Sequence, residues 1–335
     1  MEASTATVPQ AKPNVLKSIG ESPWWGFLGR RLLSLICIMV ALVIIVFFML
    51  RLVPGDPVIS AFGADTPPSQ IERIRHEFGL DKPLLDQLKT YVGNVAQGDL
   101  GRGYATNEPV STVIKERIGP SVQLAGAALV IVLVGGLSIG MLAAAWTRDG
   151  RHPRSEVLFG GATSMTGAVP DYVWGTILIF VFAVTLGWLP ASGSGSFSSL
   201  ILPALALALP LTASVSRIVR IETLNVLAQD YTRTARGERI PARRIYLRHV
   251  LPNVLTATLT IGGLIFAGLI GGAVVVETVF GRPGLGTALV TAVTAKDYAV
   301  VQGITLVLGF TVVVINTIVD ILLGVLDPRT LTKQQ

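Results

Sequence analysis

The chain has 335 residues, of which 51% are hydrophobic and only 14% charged, and its net charge is +6. Soluble domains carry about 25% charge, so an ordinary soluble protein is excluded and an integral membrane protein is indicated. A pI near 9.7 would suggest nucleic acid for a soluble chain, but here the basic residues sit in short loops and in the N-terminal segment, where membrane topology accounts for them, and no nucleic-acid partner is expected.

Residues 1–29 are polar and carry Pro9, Pro13 and Pro23, the pattern of a mobile tail. Trp24 and Trp25 are placed to anchor it at the interface. Arg30 and Arg31 precede a charge-free stretch, residues 32–50, long enough for one membrane helix. The first transmembrane element is set at residues 30–52, and the arginines before it put the N-terminus inside. Cys37, the only cysteine, lies in this run and forms no intrachain disulfide. Arg51, Leu52, Val53 and Pro54 follow in place of a small-residue cleavage site, so no cleaved signal is expected.

Residues 53–117 then form a helical domain outside. Ser69 and Glu72 have capping-box spacing. Ile71, Ile74 and Phe78 share a helical face that Gly79 ends, and Leu84, Leu85, Leu88, Tyr91, Val92 and Val95 make a second stripe stopped by Gly98.

Residues 118–326 form the membrane core. Residues 118–147 are uncharged and make the second span, with Gly136 and Gly140 at the spacing of close helix packing. Arg148, Arg151 and Arg154 place the next loop inside. The third span, residues 157–188, is interrupted by Pro170 and Asp171. The loops at Arg148 and Arg233 are both inside, so two crossings lie between them, one ending near Trp188 and one starting near Leu200. A carboxylate at membrane depth is costly. Asp171 either faces a wet cavity or sits where the helix has already broken at Pro170, and the second is expected. Residues 200–215 are the fourth span, kinked by Pro203 and Pro210, and run on to Arg217 and Arg220 at the inner face. The fifth, residues 255–276, carries Gly262, Gly263, Gly268, Gly271 and Gly272, and tight packing is the first reading of each. Residues 277–286 turn outside, the sixth span covers about residues 300–323, and residues 327–335 end inside.

Between the fourth and fifth spans lies DYTRTARGERIPARRIYLRHVLP, residues 230–252. It sets Arg233, Arg236, Arg239, Arg243, Arg244 and Arg248 against only Asp230 and Glu238. A stretch this basic is a cytoplasmic loop docked against something outside the membrane; a juxtamembrane segment touching anionic lipid is the plainer alternative. Its period gives one or two short amphipathic helices, with Tyr231, Thr234 and Ala235 near one face and a break at Pro241.

DYTRTAR, followed at a fixed gap by Leu251 and Pro252, resembles the EAA motif in the cytoplasmic loop of ABC importer permeases of the dipeptide/oligopeptide/nickel branch. Ala235 fills the last Ala position. The Gly of the motif is replaced by Arg239, with Gly237 the nearest glycine. The fragments PGDP (54–57), FGLDKPLLDQ (78–87), GDLG (98–101), VETVFGRPGLG (276–286), DYAVVQG (297–303) and LLGVLDPR (322–329) resemble the same branch, so the likeness runs from about Arg31 to Arg329.

The resemblance implies an all-α integral membrane protein of the type I (MetI-like) importer-permease kind, with six transmembrane helices and a helical extracytoplasmic domain between the first two. It would lie in a bacterial cell membrane with both termini cytoplasmic. Its implied partners are a second homologous permease, two ABC ATPases, an extracytoplasmic solute-binding protein and membrane lipid. ATP and Mg belong to the ATPases, and no cofactor is expected in this chain. The coupling loop, residues 225–250 with its Leu-Pro end, gives the candidate residues Asp230, Tyr231, Arg233, Thr234, Ala235, Arg236, Gly237, Arg239, Leu251 and Pro252. Ala235 and Gly237 are expected in close contact with the ATPases. Arg233 and Arg236 either meet an acidic ATPase surface or hold topology. Gly281, Pro283, Gly284 and Gly286 are candidates for contact with the binding protein.

No GxxxxGK[ST], HExxH or CxxC stretch occurs, and GRPGLG lacks the dinucleotide-binding spacing. His76 is placed outside and His152 and His249 inside, so no shared site or paired nucleophile and base is expected, and no metal site. Two other classes remain open from the residues alone: a self-contained ion-coupled carrier using Glu277 or Asp320, and a membrane scaffold working through its outer domain. Peptides, nickel complexes and glutathione all remain open as substrates.

Overall fold

A computed structural model of the chain describes residues 23–51, 58–59, 66–77, 79–104, 107–150 and 152–326. Helix dominates these residues, and the one β-bridge among them joins Arg102 and Pro109. Helix α1 spans Pro23–Arg51. Residues 23–29, expected in the tail, are thus helical; Pro23 suits a first helical turn because its missing N–H has no partner to lose there. Residues 1–22 and the side chains of Trp24 and Trp25 lie outside the described residues.

Helices α2 (Pro68–Glu77) and α3 (Leu84–Ala96) bury no residue fully. The N–H groups of Gln70 and Ile71 both reach the Pro67 carbonyl, so Ser69 lies inside the first turn and the expected capping box is not used. Gly79 ends α2 as expected, at φ +63. On α3 the stripe residues Tyr91 and Val95 lean on Val43 and Val46 of α1. Among its described residues α2 and α3 form no core of their own and lie as a cover on the bundle. Phe78 and residues 54–57 lie outside the described residues.

Helix α4 (Val110–Thr147) begins two turns earlier than its uncharged run. It packs most extensively along α7 (Ser198–Ala228), which runs through Pro203 and Pro210 without a break. Gly136 and Gly140 make this contact. A Cβ on Gly140 would lie 2.5 Å from the Ser216 carbonyl oxygen, and one on Gly136 2.6 Å from Val215. In lipid such close packing, and not water exclusion, holds helices together. Of the apolar window of α7, 56% is buried, against 17% in α1, so α7 is central and α1 peripheral.

Helices α5 (Pro153–Ala168) and α6 (Asp171–Leu178) meet at 96°, and α6 continues as a π-helical turn, Ile179–Thr185. The residue before a proline avoids the helical region; Val169 is extended at φ −81, ψ 124 and the helix breaks there. Helices α8 (Asp230–Gly237) and α9 (Ala242–Ile245) form the basic loop, and a π-helical segment, Tyr246–Val250, leads into α10 (Leu251–Val279). Helix α11 (Leu285–Thr294), apolar and too short to span, occupies what reads in the sequence as loop; α12 (Tyr298–Leu326) follows. Helices α1, α4, α7, α10 and α12 are long and apolar enough to cross a membrane, and the bent α5–α6 pair makes a sixth crossing when taken as one span.

The glycines of α10 divide. A Cβ on Gly262 would lie 2.8 Å from Leu133, and Gly263 meets Val319. Gly268, Gly271 and Gly272 meet nothing within 4 Å and are exposed. Tight packing accounts for the first two only. Helices α4, α7 and α10 pack mutually at the centre, α5 and α6 lie against α7, and α12 carries α1 at the periphery.

Candidate coupling site

Helix α8 is short, and its position is set by the end of α7. The last carbonyls of a helix lack intrahelical donors. Here Thr232 Oγ1 donates to the Val226 carbonyl at 2.9 Å and Arg236 Nη2 to the Leu227 carbonyl at 3.2 Å. A cation at that helix end is also favoured by the helix dipole. Thr232 and Ala235 are buried, and Ala235 joins the main core with Val226, Leu227 and Ile245. The face turned inward is therefore Thr232, Ala235 and Arg236; of Tyr231, Thr234 and Ala235, which the sequence sets near one face, only Ala235 is buried. Asp230, Tyr231, Arg233, Thr234, Gly237 and Arg239 are exposed. A second tie crosses to the foot of α10, where the Tyr231 and His249 ring centroids are 6.4 Å apart.

Arg239 holds φ +58. Its N–H reaches the Arg236 carbonyl at 3.0 Å and that of Ile240 reaches Ala235 at 3.1 Å. This is a Schellman cap, whose left-handed position favours glycine. The conformation that the motif's glycine would adopt is thus kept by an arginine, with Ile240 packed on the main core to hold it. Pro241 separates α8 from α9 as expected. Leu251 is half-buried and Pro252 exposed, in the first turn of α10. Close by, Arg220 of α7 pairs with Glu156 of α5 at 2.6 Å and donates to Thr147 Oγ1 of α4 at 3.1 Å. With Glu156 half exposed, the pair contributes about 1 kcal/mol or less.

At the far end of α10 a different centre appears. Glu277 and Arg282 are fully buried. The Glu277 carboxylate accepts hydrogen bonds from Ser121 Oγ at 2.6 Å, from the Gly286 N–H at 2.7 Å and from the Thr287 N–H at 3.4 Å. The last two are orphan donors at the positive end of α11. Ser121 Oγ in turn accepts the Leu285 N–H at 2.8 Å. Arg282 donates to the Pro120 carbonyl at 3.3 Å and to Gln123 Oε1 at 3.2 Å. Burial pulls its guanidinium below the ordinary value and the Glu277 charge opposes that pull.

Of the four residues expected to meet a binding protein, Gly281 is exposed and Pro283 half-exposed, while Gly284 and Gly286 are buried. A Cβ on Gly284 would strike the Glu277 carboxyl, and one on Gly286 would lie 2.8 Å from Glu277 Oε2. Their smallness seats the carboxylate. Glu277 is enclosed by its donors, which removes it as an open ion-coupling group; the Asp320 side chain lies outside the described residues. Among the described residues no His, Cys, Asp and Glu cluster fit to hold a metal occurs.

Sequence reasoning did not find Thr232, Ser121 or the role of Glu277. The signal available for the last was an acid at the end of a span with a glycine-rich helix start just beyond it.

Over residues 108–332 the chain matches the family described as binding-protein-dependent transport system inner membrane component, and over residues 25–125 the corresponding N-terminal family. It is 39% identical over 309 residues to a protein of Brucella abortus (strain 2308) named as a peptide transport system permease, covering 90% of this chain and 97% of that one. It is 36% identical over 304 residues to the glutathione transport system permease protein GsiC of Escherichia coli (strain K12), covering 89% and 96%. GsiC of Pectobacterium atrosepticum is 36% identical over 300 residues, with the same coverage. Several membrane-length apolar helices, a basic loop with the importer motif and matches along nearly the whole chain agree: this protein belongs to the inner-membrane permease components of binding-protein-dependent ABC importers, and it is a transport subunit, not an enzyme.

Proposed function

We propose that this permease imports peptides or similar small solutes, glutathione among them, together with a second homologous permease. Two ABC ATPases, which bind the ATP and Mg, engage the exposed face of α8, and a solute-binding protein delivers substrate at the far end. The names of the relatives support the substrate class. The arginines of the α4–α5 connection, α7, α8 and α9 share one end of the bundle, which supports placing that end, with both termini, in the cytoplasm.

One observation carries the coupling role: α8 is bonded to the end of α7 and touches the foot of α10. A displacement of α8 by the ATPases therefore reaches two of the three central helices at once. ATP binding and hydrolysis bias the bundle between two states in proportion to the different contacts α8 makes with each ATPase state. Tyr231, Arg233, Thr234 and Gly237 form the contact face, Arg236 serves the chain itself, and Ala235 is a core residue.

Affinity purification from detergent-solubilised membranes tests this. Native protein is expected to bring down a second six-span permease and two ATPases, and Gly237→Glu to lose the ATPases while keeping the permease. Native protein that purifies alone, or ATPases retained in full by Gly237→Glu, would overturn the reading. Ala235→Glu is unsuitable, because it buries a charge in the chain's own core.

A further inference from the structure

The break between α5 and α6 opens onto a cavity of about 420 Å3, lined by Pro170, Asp171, Pro210, Ile265, Gly268 and Gly272 among others. This volume falls within the roughly 300–1,000 Å3 of small-molecule sites. Pro210 and Gly268 lie near the middle of α7 and α10, so the cavity sits at mid-span. Among the described residues Asp171 is the only ionisable one in its wall. One carboxylate oxygen, Oδ1, accepts the Tyr172 N–H at 2.8 Å; no hydrogen bond or ion pair to the other is found among the described residues. Arg217, whose Nη2 would lie 3.9 Å from a Cβ on the lining residue Gly167, donates through Nη1 to Ser164 Oγ at 3.5 Å. Gly268 and Gly272 support no helix contact within 4 Å, so their bareness serves the open space.

An ionisable group at membrane depth is expensive, and such groups mark substrate paths. Broken helices at mid-membrane frame substrate sites in many secondary transporters. The wall is apolar apart from a single negative charge, so its complement is a compact molecule with one cation at its end. Peptides and glutathione both carry a free primary ammonium.

We infer that Asp171 binds the amino-terminal ammonium of the peptide in transit. The inference rests on the peptide reading above and assigns it a residue. The ammonium donates to the free carboxylate oxygen while the apolar wall accommodates the first side chain. Gly268 and Gly272 leave room for the peptide backbone.

A plain helix-start role for Asp171 makes the opposite forecast, because Asn and Ser also accept N-terminal N–H groups. The test uses the complete transporter, without its binding protein, in lipid nanodiscs. The probe is Ala-Ala-Lys with a dye on the lysine side chain, either with a free amino terminus or N-acetylated. Asp171→Asn and Asp171→Ser are each expected to weaken binding of the free peptide by about tenfold or more, as loss of a charge-assisted bond does, with Asp171→Glu closer to native. Binding of the acetylated peptide is expected to be weak in the native complex and unchanged by substitution.

Equal affinity for both peptides in the native complex, no binding to it, or an Asn variant with native affinity would each overturn the inference. ATP-driven uptake of the free peptide by the native complex with its binding protein is measured separately. Its absence would count against the proposed function, whereas uptake with unaltered Asn binding counts against Asp171 alone.

Discussion

Helices α8 and α10 end at their C-termini in the same cap built differently. At the far end Gly281 takes φ +57, with the Arg282 N–H on the Glu277 carbonyl at 2.8 Å; beyond the basic end of α10, Arg239 takes φ +58, with the Ile240 N–H on Ala235 at 3.1 Å. Around Gly281 the buried side chains of Ser121, Glu277 and Arg282, with the exposed Gln123 as a further acceptor, bind α4, α10 and α11 together. Around Arg239 the ties are two side-chain bonds to the end of α7, one ring contact and the packing of Ile240. One end is clamped by buried charge and the other leaned on by an exposed helix. Similar backbone geometry thus serves a fixed point at one end and a handle at the other.

The largest effect is expected at the clamp. Glu277→Ala leaves Ser121 Oγ and the Gly286 N–H without their acceptor in buried space and removes the charge facing Arg282, and should cost about 3 kcal/mol or more, at about 1–3 kcal/mol for each buried donor left unsatisfied. Thermal unfolding in detergent measures it; a loss no greater than that of Arg233→Ala would erase the contrast between the ends. Gly286→Ala should come next, at about 1–3 kcal/mol, because its Cβ overpacks against Val274 and the carboxylate. At the handle, Thr232→Val loses one bond to α7 and should cost about 1 kcal/mol in the same assay. It should also lower ATP-driven uptake while leaving the ATPases bound, which separates transmission from docking. The smallest change has the opposite sign: Arg239→Gly relieves left-handed backbone and should stabilise by about 1 kcal/mol, with ATPase binding unaltered in purification.

The spans were legible because charge-free runs and arginine-bearing loops report membrane geometry directly, and the break at Pro170 followed from a local backbone rule. Helix α11 was not, since ten uncharged residues between two spans carry too little periodicity to separate helix from loop. Which residues of α8 are buried was not legible for a related reason. Eight residues make two turns, and the choice of Thr232 over Thr234 for burial depends on where the carbonyls of α7 end. The five glycines of α10 look alike in the sequence and differ only in their neighbours. Glu277 lies 156 positions from the hydroxyl that holds it, beyond the reach of any local pattern.

The π-helical segment Tyr246–Val250 joins α9 to α10 without interruption, making one rod from Ala242 to Val279. At about 1.5 Å per residue this rod is roughly 55 Å long. With its far end clamped, a swing of about 5° shifts the foot by about 5 Å and Gly268 by about 1.5 Å, on that same rise per residue. A few degrees of leverage at the foot, with no sliding of helices past one another, is enough to widen or pinch the space opposite Asp171.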